Sequence, residues 1–392
     1  MNIVPTLHRH RLHLPDGAWR ALENEAAEAA FSAARDWLGA GLLALPEKRR
    51  PLLLTARDGD GRLVALCGTG RDWRYGALGP VLSTRWGDFF CHGVPLISRE
   101  APEAAALRLL ATMRARGGAV AEFASVPLEG PFAAALTAAC AAAGLRLRVA
   151  ATWRRAALDA RMSTEAWWRD SVRRRRRKEW NRLRRRLEER GETRFETLPP
   201  GAEVDVWLDE FLLLEAAGWK GRAGTALACS PEAAAFTREA LRGLAREKRV
   251  RFWRLRHAGR TIASLFAEMH GDTLLLGKIA YDEALAAFSP GVLLTLHATR
   301  DILADEAVAF ADSCAAPNHP MIDHIWPQRR TMADILVQLP EVSPARAEAI
   351  FRLEAARRRL RAALKAAWHG ARRHLRGVRR ARPHRRAAGN GR

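Results

Sequence analysis

The sequence predicts an α/β (α+β) fold made of two mixed-sheet halves of one architecture, followed by a basic C-terminal helix and tail. Three features point there. Apolar runs of strand length alternate with longer runs of helical period from Pro51 to Asp312. In the second half three strands follow one another through tight turns before any helix intervenes, so they run antiparallel. A doubly wound parallel sheet would alternate strand and helix throughout. After Pro340 the composition turns abruptly basic.

The elements follow in chain order. Runs Pro51–Ala56 and Arg62–Cys67 flank Asp58-Gly59-Asp60-Gly61, a hairpin turn. Helical runs near 101–116 and 131–143 enclose a strand near Ala119–Ala124, and a strand near Leu145–Trp153 comes after them. The second half opens with one helix from about Thr164 to Arg190, capped by Ser163 or Thr164. A strand near Thr193–Leu198 and helices near 202–217 and 231–247 come next. Strands Arg249–His257 and Thr261–His270 join through Ala258-Gly259-Arg260, and Gly271-Asp272 turns into the strand Thr273–Tyr281. A helix from Val292 to Ile302 and a strand near Ala307–Asp312 complete the unit. Ser343 or Pro344 then opens a long helix. Ile350, Leu353, Leu360, Leu364, Trp368 and Leu375 lie on one face of it, with Arg358, Arg359, Arg361, Lys365, Arg372 and Arg376 on the other. Past Arg379 the chain is basic and expected to be disordered.

Composition narrows the function classes. The 392 residues suffice for two or three domains, and 48% hydrophobic content suits a largely globular chain. Met1–Gly17 holds no long apolar run, so no signal peptide is expected, and no charge-free apolar stretch reaches the length of a membrane span. The five cysteines are scattered without CxxC or Cys/His ligand spacing, which argues against disulfides and a structural zinc and for a reducing cytoplasm. The net charge of +22 is local: +13 falls in residues 341–392 and the remaining +9 traces to Arg173–Lys178 with Arg182, Arg184, Arg185 and Arg186. Local basicity needs local explanations.

The stretch Asp272–Ile302 carries the chemistry. Its strand runs into a loop ending Phe288-Ser289-Pro290-Gly291, and a helix follows at once. Backbone N–H groups and the helix dipole meet there, which suits a phosphate or pyrophosphate. The same residues also read as an ordinary strand–turn–helix joint.

These pieces resemble the GNAT superfamily, and within it the acetyltransferase branch of the cellulose-biosynthesis CelD-type proteins, with the FemABX peptidyltransferases as more distant relatives. The likeness rests on an ordered series over about residues 160–335. It comprises the basic helix from Ser171 through Leu183 and Leu187, then Glu215-Ala216-Ala217-Gly218-Trp219-Lys220-Gly221, Gly224-Thr225-Ala226-Leu227, Ala258–Ala263, Tyr281-Asp282-Glu283, Ser289-Pro290-Gly291 and Asp312. The resemblance implies a degenerate GNAT-like domain over residues 1–155, a GNAT-like acetyltransferase domain over 156–340, and a basic amphipathic helix and tail over 341–392. It implies acetyl-CoA or another acyl-CoA as donor, an amine acceptor and no metal. Relatives usually follow the strand-end Asp with a Gly-containing loop and a Tyr/Phe-Lys pair. Here Asp312 is followed by a loop holding His319, Asp323, His324 and Trp326, and the acceptor end stays open.

Residue roles follow. Ser289, Pro290, Gly291, Val292 and Lys278 are expected at the donor, with the strand edge Leu274–Ala280 pairing with the pantetheine amides as GNAT relatives do. Trp219, Arg176, Tyr281 and His319 are expected on the substrate side, and Asp312, Lys220 and Glu215 in catalysis. Each has a plainer alternative: Gly221 and Lys220 can simply cap a helix, and Asp312 can cap a turn. Trp253, Phe266 and Phe288 read as core. Arg176 falls inside the apolar stripe Trp168, Val172, Trp180, Leu183, Leu187, so it is expected to face the active-site side or bridge the domains. No Gly-x-Ser-x-Gly or Cys/His arrangement appears, which favours direct transfer over an acyl-enzyme.

Acyl-CoA-dependent N-acyltransfer is thus the leading reading. The alternatives are a Fem-like transferase using aminoacyl-tRNA and a non-catalytic tether to nucleic acid or a membrane surface. Contact with an anionic membrane through residues 346–380 at the inner face is expected of the tail ahead of nucleic acid, because its polarised face suits a lipid surface better than a groove; packing of its apolar face on the body is the plainer alternative.

Overall fold

The computed structural model describes residues 15–87, 92–199 and 202–381. Two short helices that periodicity did not reveal, α1 (Asp16–Asn24) and α2 (Arg35–Ala44), precede the first strand. Then come β1 (Leu52–Arg57), β2 (Leu63–Asp72), β3 (Val81–Ser83), β4 (Leu96–Ile97), α3 (Pro102–Ala115), β5 (Val120–Pro127), α4 (Pro131–Ala142) and β6 (Leu147–Asp159). The second half holds α5 (Arg174–Glu188), β7 (Thr193–Thr197), α6 (Val204–Ala217), α7 (Pro231–Arg246), β8 (Val250–His257), β9 (Arg260–His270), β10 (Thr273–Tyr281), α8 (Pro290–Ala304), β11 (Phe310–Asp312), β12 (Gln328–Gln338) and α9 (Pro344–Ala381).

All strands join one 12-stranded mixed sheet of order β1-β2-β3-β5-β12-β6-β11-β10-β9-β8-β7, with β4 beside β2. Each half contributes one parallel pair, β3–β5 and β10–β11. Helices α3 and α8 lie in the crossings that make these pairs, and the other strand pairs are antiparallel, so the two halves share one plan. β12 lies between β5 and β6, while β6 also pairs with β11. Pattern reading passed over β12 because its polar opening, Gln328-Arg329-Arg330-Thr331, masks the buried run Met332–Val337.

Three apolar clusters hold the layers. Leu109, Phe123, Phe211, Phe236 and Phe266 belong to the largest, which runs across both halves under α2, α3, α4, α6 and α7. Trp167, Trp180, Trp253, Leu294 and Trp326 form a second beneath α5 and α8 on the opposite face, with Phe288 in it. A third packs Ile350 and Phe351 of α9 against Val81, Val120 and Leu336. Trp253, Phe266 and Phe288 therefore lie in the core.

Two expectations need correction or limits. The single helix from Thr164 to Arg190 is broken: a π-helical turn spans Trp167–Ser171, and extended Val172 separates it from α5. The break lets Trp167 and Val172 both enter the core, where Trp167 Nε1 donates to the Ile325 carbonyl at 2.9 Å. The tail expected past Arg379 lies, from residue 382, outside the described residues. Among the described residues no helix is long and apolar enough to cross a membrane.

Candidate functional site

The site is organised by a splay in the sheet. β10 pairs in parallel with β11 only through Thr273–Leu275 against Phe310–Asp312. Beyond Leu275, β10 continues to Tyr281 with β9 as its only strand neighbour among the described residues, which leave its other edge without a strand. The register on the β9 side shifts between Leu276 and Ile279. Gly277 sits in that bulge because a Cβ there would lie 2.3 Å from the Phe266 ring. An extended group with amides can therefore add to the free edge of β10 as a strand would.

Where β10 ends, α8 begins. Ser289 adopts a left-handed conformation (φ 52°) and Pro290 takes the first helical position. Proline has no N–H, and the Leu293 N–H already donates to Ser289 O at 3.1 Å. The free donors of the first turn are therefore those of Gly291 and Val292, two rather than a larger set. A Cβ at Gly291 would stand 3.3 Å from the Tyr281 ring and 3.5 Å from Ile279, so the turn presses on the end of β10. The basic helix serves this point. Arg186 and Arg190 lie over the Phe288 ring at 5.7 and 4.8 Å, beside Ser289. Burial and the Arg184 guanidinium together push Arg300, on α8, below the usual arginine range. Arg186 and Arg190 thus bring positive charge to the start of α8, as an anion site requires, whereas Arg300 lies toward the far end of the helix.

On the other face, Glu215 at the end of α6 ties the following loop to β10. Its Oε1 accepts from Lys220 Nζ at 3.0 Å and Lys278 Nζ at 3.5 Å, and its Oε2 accepts from the Leu227 N–H at 2.8 Å. Lys220 also donates to Ile279 O at 2.9 Å. Burial lowers the Lys278 pKa, Glu215 opposes this and Lys220 adds to it. Glu215, Lys220 and Lys278 form one cluster whose polar atoms are engaged with one another and with the backbone. Trp219 is exposed, and its N–H donates to Glu283 at 2.6 Å.

Asp312 is fully buried at the fork between β10 and β11. Arg155 of β6 grips it with Nε and Nη2 at 2.7 and 2.8 Å, and Arg330 of β12 approaches to 3.3 Å. Burial alone would raise its pKa, but the two guanidiniums outweigh burial and hold it below the ordinary range. Arg330 reaches on to Glu28 at 3.0 Å. His319 Nδ1 accepts from the Met321 and Ile322 N–H groups at 3.3 and 3.4 Å. Arg176 is half-buried and has no carboxylate partner among the described residues; its charge depresses His324, after burial.

The splay therefore gathers Ser289–Val292, Tyr281 and Lys278 near one end of β10, with Glu215 and Lys220 behind it and Asp312 at the fork. Sequence reading missed Arg155 and Arg330, although an arginine beside Ala156-Ala157-Leu158 in a buried strand was a visible signal. It also gave no role to His92, for which no local pattern exists.

Residues 174–317 match the family model described as an acetyltransferase (GNAT) domain, a span that takes in α5, the splay and α8. An acyltransferase domain of that type is the coarse assignment. No curated protein matches the chain. Among solved structures, FemX is similar over 88% of this chain and 99% of its own, with 9% identity and a TM-score of 0.58. The C-terminal domain of a lysylphosphatidylglycerol synthetase-like protein from Agrobacterium fabrum is similar over 86% and 96%, with 13% identity and a TM-score of 0.50. A conserved protein of unknown function from Bacteroides thetaiotaomicron is similar over 82% and 97%, with 11% identity and a TM-score of 0.50. Likeness at these identities is a likeness of fold.

Proposed function

We propose that this protein is an acyl-CoA-dependent N-acyltransferase that passes an acyl group, acetyl in the simplest case, directly to an amine. The observation that carries this is the unpaired edge of β10 beyond Leu275, which ends against the N-terminus of α8. The residues fit an acyl-CoA. Gly291 and Val292 N–H with Arg186 and Arg190 would hold its pyrophosphate, and the edge from Leu276 toward Tyr281 would pair with its pantetheine amides. The bound donor supplies a thioester carbonyl open to a nucleophile. The protein's part is to hold the donor in line and to keep water from the fork. In this reading Glu215, Lys220 and Lys278 keep β10 and the α6 loop in place, Tyr281 buttresses the turn, and Trp219 and Arg176 line the approach. The motif order from Trp219 to Asp312 supports the CelD-type branch.

Thermal melting tests this. Acetyl-CoA at 100 times its Kd should stabilise the fold by about 2.7 kcal/mol through linkage. CoA lacking its phosphates should do far less. No shift with acetyl-, succinyl- or long-chain acyl-CoA would discard the reading. The second reading, an RNA-linked donor, has one observation in its favour: Arg174, Arg175, Lys178 and Arg182 line a single open groove on α5. Tight tRNA binding that falls steeply with salt, without any acyl-CoA shift, would establish it.

Helix α9 supports peripheral contact with an anionic membrane. Its first turns are docked through Ala347, Ile350 and Phe351, whereas Leu360, Leu364 and Trp368 are exposed alongside Arg359, Arg361 and Lys365. An exposed apolar stripe flanked by cations suits the headgroup boundary. Co-sedimentation with vesicles holding anionic lipid, lost on replacing Leu360 and Leu364 with Gln, is the expected result.

A further inference from the structure

Three titratable side chains near the fork have no use in the account above. Glu268 of β9 stands opposite Leu275, and Leu275 stands opposite Asp312, so the three share one row across the last register position before the splay. Cross-strand partners point to the same face. Glu268 is 1% exposed and its Oε2 has no hydrogen-bond partner among the described residues. His270, two residues further along the same face, is 3% exposed, accepts from Arg249 at 2.6 Å through Nδ1, and leaves Nε2 unpartnered. His92, from the first half of the chain, is 1% exposed, and neither ring nitrogen has a hydrogen-bond partner among the described residues. A buried polar atom without a partner costs about 1–3 kcal/mol. Several such atoms at one place are hard to account for unless something binds there.

A cavity of about 650 Å³ opens onto His270, the member of this group nearest its wall, with Glu268 two residues further along the same strand face. Its wall includes His270, Glu28, Glu23, Asp272 and Arg249, and its carboxylates outnumber its guanidiniums. Such a wall favours a cation over an anion. The cavity lies on the face of the sheet that carries α6 and α7, opposite the face against which α8 packs.

We propose that His92, Glu268 and His270 form the acceptor subsite, which takes a small compound bearing a primary amine, with Glu268 as the group that accepts the ammonium proton. This rests on the acyl-CoA reading of the donor side. The ammonium proton passes to the Glu268 carboxylate. The freed nitrogen lone pair forms the C–N bond as the donor's C–S bond breaks. The proton that the new amide nitrogen sheds goes to the departing thiolate, and Glu268 returns its own proton to solvent. His92 presents one donor and one acceptor to the polar groups next to the amine.

The surroundings suit these roles. Burial holds Glu268 well above the ordinary carboxylate range; Cys314, just past β11, adds to this and Arg249, before β8, opposes it. A carboxylate raised in this way binds a proton more readily than an ordinary one, as a proton acceptor must. Burial first, then Arg330 of β12 and Arg155 of β6, hold His92 well below its usual value against the pull of Asp312. Burial, Arg249 and His92 do the same to His270. Both rings are therefore neutral and able to accept as well as donate.

Calorimetry of ethanolamine, glycinamide and 1,4-diaminobutane binding, without any acyl-CoA, tests the subsite independently of the donor. At least one amine should bind the wild-type protein, its ammonium expelling the proton that burial keeps on Glu268 and leaving the carboxylate that the step requires, seen as a heat that depends on the buffer. Glu268→Gln, which keeps the shape, should abolish that release. In turnover with acetyl-CoA, Glu268→Gln should lower kcat by about 100-fold or more, the scale of a lost proton acceptor. It should also remove the acidic limb of the pH profile while leaving acetyl-CoA binding within about twofold. Glu268→Asp should restore part of both. His92→Asn should weaken amine binding without moving that limb. Absence of binding by all three amines, or a Glu268→Gln protein with wild-type proton release, would overturn the proposal. Failure of acetyl-CoA to bind would instead remove the donor reading and leave the amine titration to stand or fall by itself.

Discussion

Replacing Asp312 with Asn separates a structural from a chemical role for the residue at the fork. The substitution keeps the shape but removes the charge that neutralises Arg155, which is 3% exposed. Arg330 still has Glu28 at 3.0 Å, so one guanidinium rather than two is left uncompensated. Breaking a buried pair from one side costs about 3–5 kcal/mol, and the retained Arg330–Glu28 contact points to the lower part of that range. Such a loss is a large share of the roughly 5–15 kcal/mol that holds a typical domain together. Urea denaturation should show the midpoint falling accordingly, and Asp312→Leu with Arg155→Met should recover most of the loss. The pH dependence has a definite sign. The folded-state pKa of Asp312 lies below its unfolded value. Its contribution is therefore present above the usual carboxylate range near 4 and is lost as pH falls through the depressed folded value. The Asn variant should lack that acid-sensitive component. A variant within about 1 kcal/mol of wild type that had nonetheless lost acyl transfer would refute the structural assignment and return Asp312 to the chemistry.

Other perturbations follow from the same geometry. Gly277→Ala should destabilise by about 1–3 kcal/mol in thermal melts, because its Cβ would meet the Phe266 ring at 2.3 Å, and Phe266→Leu should relieve part of that cost. Reversing charge at Arg186 and Arg190 together should raise the Kd for acetyl-CoA at least tenfold and flatten its salt dependence, read by fluorescence titration. Lys220→Met leaves Glu215 buried with only the exposed-side Lys278 and one backbone donor, and should cost about 1–3 kcal/mol by chemical denaturation. Hydrogen bonds from Arg357, Tyr75 and Arg358 overcome burial and hold the Glu354 carboxyl at about 2. The docking of α9 should therefore persist down through pH 4.5 and loosen only as pH approaches 2, measured by the protection of its amides; Glu354→Gln should loosen it at neutral pH.

Much of the fold was legible along the chain. Strands bounded by Gly and Asp, helices with apolar faces and the basic break after Pro340 follow from local periodicity and turn chemistry. β9 and β10, with their Gly271 turn, came out within a residue of their observed limits. The strand–turn–helix around Ser289-Pro290-Gly291 was legible too, because the turn sits next in sequence to the strand it follows. Other features were hidden for physical reasons. β12 opens with four polar residues whose partners lie more than a hundred residues away. The break at Val172 depends on two side chains competing for one core.

The sequence by itself determined which segments are strands and helices, that the second half carries a strand–turn–helix suited to phosphate, and that its basicity is confined to two places. Those are short-range properties, set by neighbours within a turn or a hairpin. Only the tertiary structure decided that Asp312 is locked between Arg155 and Arg330, that Glu215 is spent on two lysines and a backbone amide, and that Glu268 and His92 are buried with polar atoms unanswered. Whether a charged side chain is neutralised, raised or left free depends on which strands the sheet brings beside it. Here Arg155 meets Asp312 across 157 residues of chain.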